Sequence, residues 1–208
     1  MSLRTYGDPC GIARALDAVG ERWALLIVRE LLYGAKRFTD LHAGLAGASP
    51  NVVSQRLRDL EEAGVVRRLT DGGPKYALTD WGRDLTPILV QLGRWGARSS
   101  HRPAGDLSVD ALMVALEATF TPDVTGDMDA TVELRLGPAT YEVTLVDGTM
   151  TIRREIARKP DAVITTDPKT LRAVVFGDRK LAGAPVEIVG DKAMARKFLR
   201  LFRRPTVA

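Results

Sequence analysis

The chain has 208 residues, 45% of them hydrophobic and 27% charged. That balance excludes wholesale disorder and leaves room for one large domain or, by a slight preference, two ordinary ones. Its net charge of +4, of which +3 falls in residues 1–100, is compatible with nucleic acid but does not require it. The best apolar run, Ala24–Val28, stops at Arg29, far short of the roughly 20 residues of a membrane span. Met1–Gly7 lacks the apolar stretch and cleavage site of a secretory signal. A cytoplasmic location without membrane insertion is therefore expected. A single cysteine, Cys10, excludes an internal disulfide or a cysteine-cluster metal site, and two histidines, His42 and His101, leave little for another metal centre. No metal and no cofactor are expected.

In chain order, Asp8-Pro9 reads as a helix start, followed by Ile12, Leu16 and Val19 at helical spacing up to Gly20. Trp23, Leu26, Ile27 and Leu31 mark a second helix ending at Gly34. A short third helix opens at Phe38 and closes by Gly47. Ser49-Pro50 starts a fourth, with Val53, Leu57 and Leu60 on one face and a stop at Gly64. Two strands, Val65–Leu69 and Tyr76–Thr79, flank a glycine-tipped loop. A helix over 80–97, kinked at Pro87, carries Leu85, Ile88, Leu89, Leu92 and Trp95 as its apolar stripe.

Residues 1–99 thus form a mainly α domain of winged helix-turn-helix layout, and the polar, turn-rich stretch 100–106 forms a linker. In residues 107–208 the grammar changes. A helix leads into three alternating strands around Val132, Tyr141 and Met150, with Asp147-Gly148 as a hairpin signal. Strand Ala162–Thr165, a helix from Pro168, strand Val186–Val189 and a last helix complete an α+β domain, expected to be an antiparallel sheet covered by helices.

The fourth helix carries the sharpest functional pattern. At 100° per residue from Val53, Leu57 and Leu60 fall at about 40° and 340°, whereas Asn51, Gln55 and Arg58 fall at about 160°, 200° and 140°. Asn and Gln can pair bidentately with adenine, and Arg with guanine. Ser54 flanks that face. Arg56, at about 300°, is better placed for a phosphate or an acidic neighbour. Lys75 on the wing is a candidate phosphate contact, and the outward Glu62 confines reading to the N-terminal half of the helix. A merely solvated helix face has the same composition. The preceding turn, Gly47-Ala48-Ser49, and the following hairpin favour double-stranded DNA as the partner.

The strings Cys10-Gly11, Ala15-Leu16-Asp17, Gly20-Glu21-Arg22-Trp23, Ile27-Val28-Arg29-Glu30-Leu31, Lys36-Arg37-Phe38-Thr39-Asp40-Leu41, Ser54-Gln55-Arg56-Leu57-Arg58-Asp59-Leu60-Glu61 and Tyr76-Ala77-Leu78-Thr79 resemble HxlR-type transcriptional regulators. The resemblance spans about 8–97 and implies a dimeric, cytoplasmic winged-helix regulator. It also makes Cys10 a candidate redox site, although this chain has Gly11 where the family often has Pro. More loosely, Pro160–Asp167, Leu171 and Val186–Asp191 resemble sterol-carrier-type lipid-binding domains, which implies a sheet with helices enclosing an apolar cavity. The candidate lining residues are Phe120, Leu134, Tyr141, Val143, Met150, Val174, Phe176, Phe198 and Phe202. A plain core would bury the same side chains.

No nucleophile is paired with a histidine base and no phosphate-cradling loop follows a strand, so no enzyme activity is expected. The basic run Lys192, Arg196, Lys197, Arg200, Arg203 and Arg204 reads as a solvated helix face, with anionic lipid or extra DNA contact as the alternatives. The expected function is that of a sequence-specific, homodimeric DNA-binding regulator whose C-terminal domain senses a hydrophobic small molecule. The competing expectation is a lipid-binding or carrier protein whose winged helix serves only for dimerisation.

Overall fold

The computed structural model describes residues 5–101, 105–121 and 128–202. The middle of the expected linker, the start of the chain, and Arg203 and Arg204 lie outside the described residues. The chain divides into two compact units, Met1–Leu89 and Val90–Ala208.

The first unit contains α1 (Gly11–Val19), α2 (Ala24–Leu31), α3 (Phe38–Ala43), α4 (Pro50–Glu62), β1 (Val66–Leu69), β2 (Lys75–Leu78), α5 (Asp80–Arg83) and the start of α6 (Thr86–Gly96). Its core gathers Ile27, Val28 and Leu31 of α2, Leu41 of α3, and Val53, Leu57 and Leu60 of α4. Each such burial stabilises the unit by about 1.5–3 kcal/mol.

Several details differ from the sequence expectation. Cys10, not Asp8, caps α1, because Asp8 Oδ1 accepts from the Cys10 amide and holds the chain in a turn before the helix. Ile12 is 73% exposed and Leu16 is 41% exposed, so only Ala13 and Val19 of α1 are buried. The helix-turn-helix connection spans Gly44–Ser49 and is longer than a three-residue turn. Gly47 turns it at φ +89°, a left-handed conformation that favours glycine, and Leu45 and Ala48 are buried beneath it. The single kinked helix expected over 80–97 is two helices. Thr79 caps α5 and Asp84 ends it, and Pro87 then occupies the first turn of α6, where its missing N–H removes no helical bond. Of the stripe assigned to that helix, Leu89 is buried, but Ile88, Leu92 and Trp95 are exposed.

In the second unit, Arg94 Nε near the end of α6 donates to the Ala118 carbonyl at 3.0 Å. There follow α7 (Val109–Thr119), β3 (Ala130–Leu136), β4 (Ala139–Val146), β5 (Thr149–Arg153), β6 (Ala162–Thr166), α8 (Pro168–Phe176), β7 (Glu187–Gly190) and α9 (Lys192–Phe198). The strand order is β5-β4-β3-β6-β7. The sheet is mixed rather than antiparallel, since β6 pairs parallel to β3, with Val132 opposite Ala162 and Leu134 opposite Ile164. The reason is topological: β5 ends at one edge, and the segment 154–161 carries the chain across β4 and β3 to their far side. Alternation gives the sheet two unlike faces. Val132, Leu134, Tyr141, Val143, Ile152 and Ile164 are buried on one, and Thr131, Glu133, Arg135, Glu142 and Thr144 alternate onto the other.

Candidate nucleic-acid interface

Ser49 starts α4 by accepting the Val52 amide, with Pro50 in the first turn. The helix buries Val53, Leu57 and Leu60 and leaves Asn51 and Arg58 exposed, with Ser54, Gln55 and Arg56 half-buried. The Gln55 amide is engaged at both ends. Its Nε2 donates to Asp59 Oδ1 at 2.7 Å, and its Oε1 accepts from Arg58 at 2.6 Å. Gln55, Arg56 and Asp59 also border a cleft shared with Asp17 and Glu21, so this side of the helix leans toward α1. Arg56 pairs with Asp59 at 2.8 Å and Glu21 at 3.5 Å. It has found an acidic neighbour, as its angle on the helix suggested.

Beyond α4, β1 pairs antiparallel with β2 from Val66–Leu78 to Leu69–Lys75 and forms the wing. Arg67 and Arg68 are exposed on it, Lys75 is half-buried, and Gly72 at φ +73° helps to turn its tip. The wing is held on its β2 edge, one pair from the tip, by Lys36, whose amide donates to the Tyr76 carbonyl at 3.0 Å and whose carbonyl accepts from the Tyr76 amide at 2.8 Å. Lys36 is itself anchored through Nζ to buried Glu30 at 2.8 Å, and Arg29 pairs with the other carboxylate oxygen at 2.9 Å. Gly44 makes room for that carboxylate, since a Cβ there would collide with Glu30 Oε2. The sequence reading missed this support. Its signal was an acidic residue within an apolar helix, followed six positions later by a lysine.

Helix-turn-helix followed by a two-stranded wing defines a winged helix-turn-helix protein. The profile of the HxlR-like helix-turn-helix family matches residues 18–103. YvaP of Bacillus subtilis, an uncharacterised HTH-type transcriptional regulator, is 42% identical over 86 residues, covering 39% of this chain and 80% of the relative. An uncharacterised HTH-type transcriptional regulator of Mycobacterium tuberculosis is 41% identical over 109 residues, covering 50% of this chain and 67% of the relative. The crystal structure of ytcD is 32% identical with a TM-score of 0.40, over 42% of this chain and 94% of that one. The chain belongs to the HxlR family, by way of its N-terminal part.

Cys10 is exposed. Its Sγ accepts from the Ile12 amide at 3.3 Å, and the backbone hydrogen bonds from Ala13 and Ile12 hold the thiol below its ordinary range. Thiolate is the reactive form. Cys10 should therefore react with a maleimide faster at pH 7 in the native protein than in urea, as measured by the time course of labelling. Slower native labelling would remove the condition that a redox role requires.

The nine side chains expected to line a ligand cavity do not share one environment. Leu134, Tyr141, Val143, Phe198 and Phe202 are buried; Phe120, Met150, Val174 and Phe176 are half-buried. Phe202 packs edge-on against Phe198 and bridges to Phe120. Tyr141 is the polar exception. Its hydroxyl donates to buried Asp110 at 2.8 Å, and Arg154 donates to both the Asp110 carboxylate and the Tyr141 hydroxyl. Burial, and next the Asp110 charge, push the phenol far above its ordinary range. The folded state therefore keeps a proton that the unfolded chain releases near pH 10. The resulting stability is fully present below that pH and is lost as pH rises above it, at up to about 1.4 kcal/mol per pH unit for one proton. Urea midpoints between pH 9 and 11 should fall more steeply for wild type than for Tyr141→Phe. Parallel curves would show that Tyr141 ionises as freely in the folded state as in the unfolded one.

Among the described residues no cluster of three or more His, Cys, Asp or Glu could hold a metal, and no helix is long and apolar enough to cross a membrane.

Proposed function

We propose that this protein is a homodimeric, sequence-specific DNA-binding transcriptional regulator whose second unit senses a hydrophobic small molecule. The observation that carries the DNA reading is α4 itself. Asn51 and Arg58 are exposed over a fully buried Val53-Leu57-Leu60 stripe, beside a wing bearing exposed Arg67 and Arg68. Dimerisation is supported by apolar side chains left in water at helical spacing, Ile12 and Leu16 on α1 and Ile88 and Leu92 on α6. Their occupant is a second copy, because helix-turn-helix dimers read paired half-sites. The names of the relatives, HTH-type transcriptional regulators, agree with this reading. The sensing role is supported by the layout of the second unit, a sheet with one apolar face and helices α7, α8 and α9, and by the looser sterol-carrier resemblance. A ligand acts by shifting operator affinity, typically by about 1–3 kcal/mol, and the operator shifts ligand affinity equally.

Selection from random duplex DNA with the full-length protein tests the reading. It should enrich a palindrome whose half-sites lie one helical turn, or a whole multiple, apart. Enrichment of no sequence would leave a lipid-binding protein whose winged helix serves dimerisation only.

A further inference from the structure

We infer that the second unit binds an amphiphile with an acidic head group in a cleft at the β7 edge of its sheet, away from most of the expected cavity lining. The cleft has a volume of about 620 Å³ and lies among α8, β7, α9 and the loop before β7. That size is within the range of roughly 300–1,000 Å³ typical of small-molecule sites. Of the nine side chains that the resemblance nominated, only Val174 lines it. The larger aromatics, Phe198 and Phe202, are packed against each other instead.

The walls have two chemistries. Ile188 on β7 and Val186 just before the strand both line the cleft, and both are half-buried while Glu187 between them is exposed. Leu199 closes the floor, with Leu181 and Val174 beside it. Around this apolar floor stand Lys180, Lys192, Arg196 and Arg200. Lys192 and Arg196 stand one turn apart on α9, where like charges repel, and Arg200 follows two residues after the helix ends. The fourth comes from a separate loop, so the cluster is assembled by the fold and is not an accident of one helix. Among the described residues none of the four is in an ion pair. Of the acidic residues nearby in sequence, Asp178 is exposed and does not line the cleft, Asp191 caps α9 through the Ala193 and Met194 amides, and Glu187 alternates to the other side of β7. A DNA phosphate would satisfy the cations but leave the apolar floor empty, and a neutral lipid would do the opposite. A chain carrying a carboxylate or a phosphate monoester satisfies both.

Calorimetric titration of the full-length protein with decanoate, decyl phosphate and decanol tests this. Both acids should bind, and decanol should bind about tenfold more weakly or worse. Whichever acid binds tighter identifies the head group. Arg196→Gln combined with Arg200→Gln should bring the acids down to the level of decanol and leave decanol itself unchanged, which also reports that the variant is folded. On wild-type protein, added salt should weaken the acids and spare decanol. Equal binding of all three compounds, an acid preference that survives in the double variant, or no binding by any of them would overturn the inference. It rests on the sensing reading only for its consequence. Decanoate binding with unchanged operator affinity would remove the sensing and leave the cleft. Failure of the acids, with operator affinity shifted by another apolar compound, would do the reverse.

Discussion

Arg58→Ala should weaken binding to the selected operator by roughly 1–3 kcal/mol per half-site, and by about twice that for a dimer engaging both, with little loss on random DNA. Arg58 is exposed, and its described partner is the Gln55 amide oxygen, so truncation leaves the Val53-Leu57-Leu60 stripe intact. Gln55 is a different case. It must release Asp59 Oδ1 before its amide can pair with a base, so Gln55→Ala should cost less than Arg58→Ala. Arg56 is committed to Asp59 and Glu21; Arg56→Ala should lower stability and leave the salt dependence of DNA binding as it was. Lys75→Ala should weaken operator and random DNA alike and flatten that dependence, as loss of a phosphate contact does. Paired titrations at two salt concentrations, with melts to confirm folding, separate these outcomes. If folded Arg58→Ala binds the operator as wild type does, the exposed face of α4 is not the reading face.

Glu30→Ala should destabilise the first unit by about 3–5 kcal/mol, because it leaves the Lys36 ammonium, which is nearly buried, without its carboxylate. The effect should reach the wing, since Lys36 is also the residue that bridges Tyr76 on the β2 edge of the hairpin. Gly44→Ala should act on the same group from the other side, by driving a methyl into Glu30 Oε2. Replacing both charges, as Glu30→Leu with Lys36→Met, should recover much of the loss, because a well-packed apolar pair is often as stable as a buried ion pair. Urea unfolding monitored by Trp fluorescence measures all of these. A Glu30→Ala loss below about 1 kcal/mol would place the pair among surface bridges in its energetics.

The parts of this fold that were legible are those in which one element carries its own signal. On α4 the spacing of Val53, Leu57 and Leu60 identified the buried stripe, and Ser49-Pro50 identified the start, because cap and stripe are local. On α1 the same periodicity misled. Ile12 and Leu16 mark an apolar face, but spacing does not say what covers it, and among the described residues nothing buries them. Pro87 was equally compatible with a kink or a new first turn, and Thr79 and Asp84 decided for the break. Alternation in β3 and β6 gave the faces but not the pairing, since a parallel partner leaves no local mark. The trio Asp110, Tyr141 and Arg154 draws on α7, β4 and the segment after β5 and has no sequence signature. In the cleft the basic run was visible and was read as solvated; that Val186 and Ile188 line the same cleft is known only from the folded chain.

The parallel pairing of β3 with β6 also sets an order of events. Strands β3, β4 and β5 follow one another through tight turns and can zip up as a meander, whereas Val132 meets Ala162, thirty positions further on, only after the intervening chain has been closed into a loop. Until then β3 is an open edge carrying Val132, Leu134 and Leu136, the kind of template that captures strands from other chains. The winged-helix unit, rich in local contacts and synthesised before the second unit, has no such wait. Truncation after β5 should therefore give a chain whose N-terminal half folds and whose C-terminal half aggregates through that bare edge.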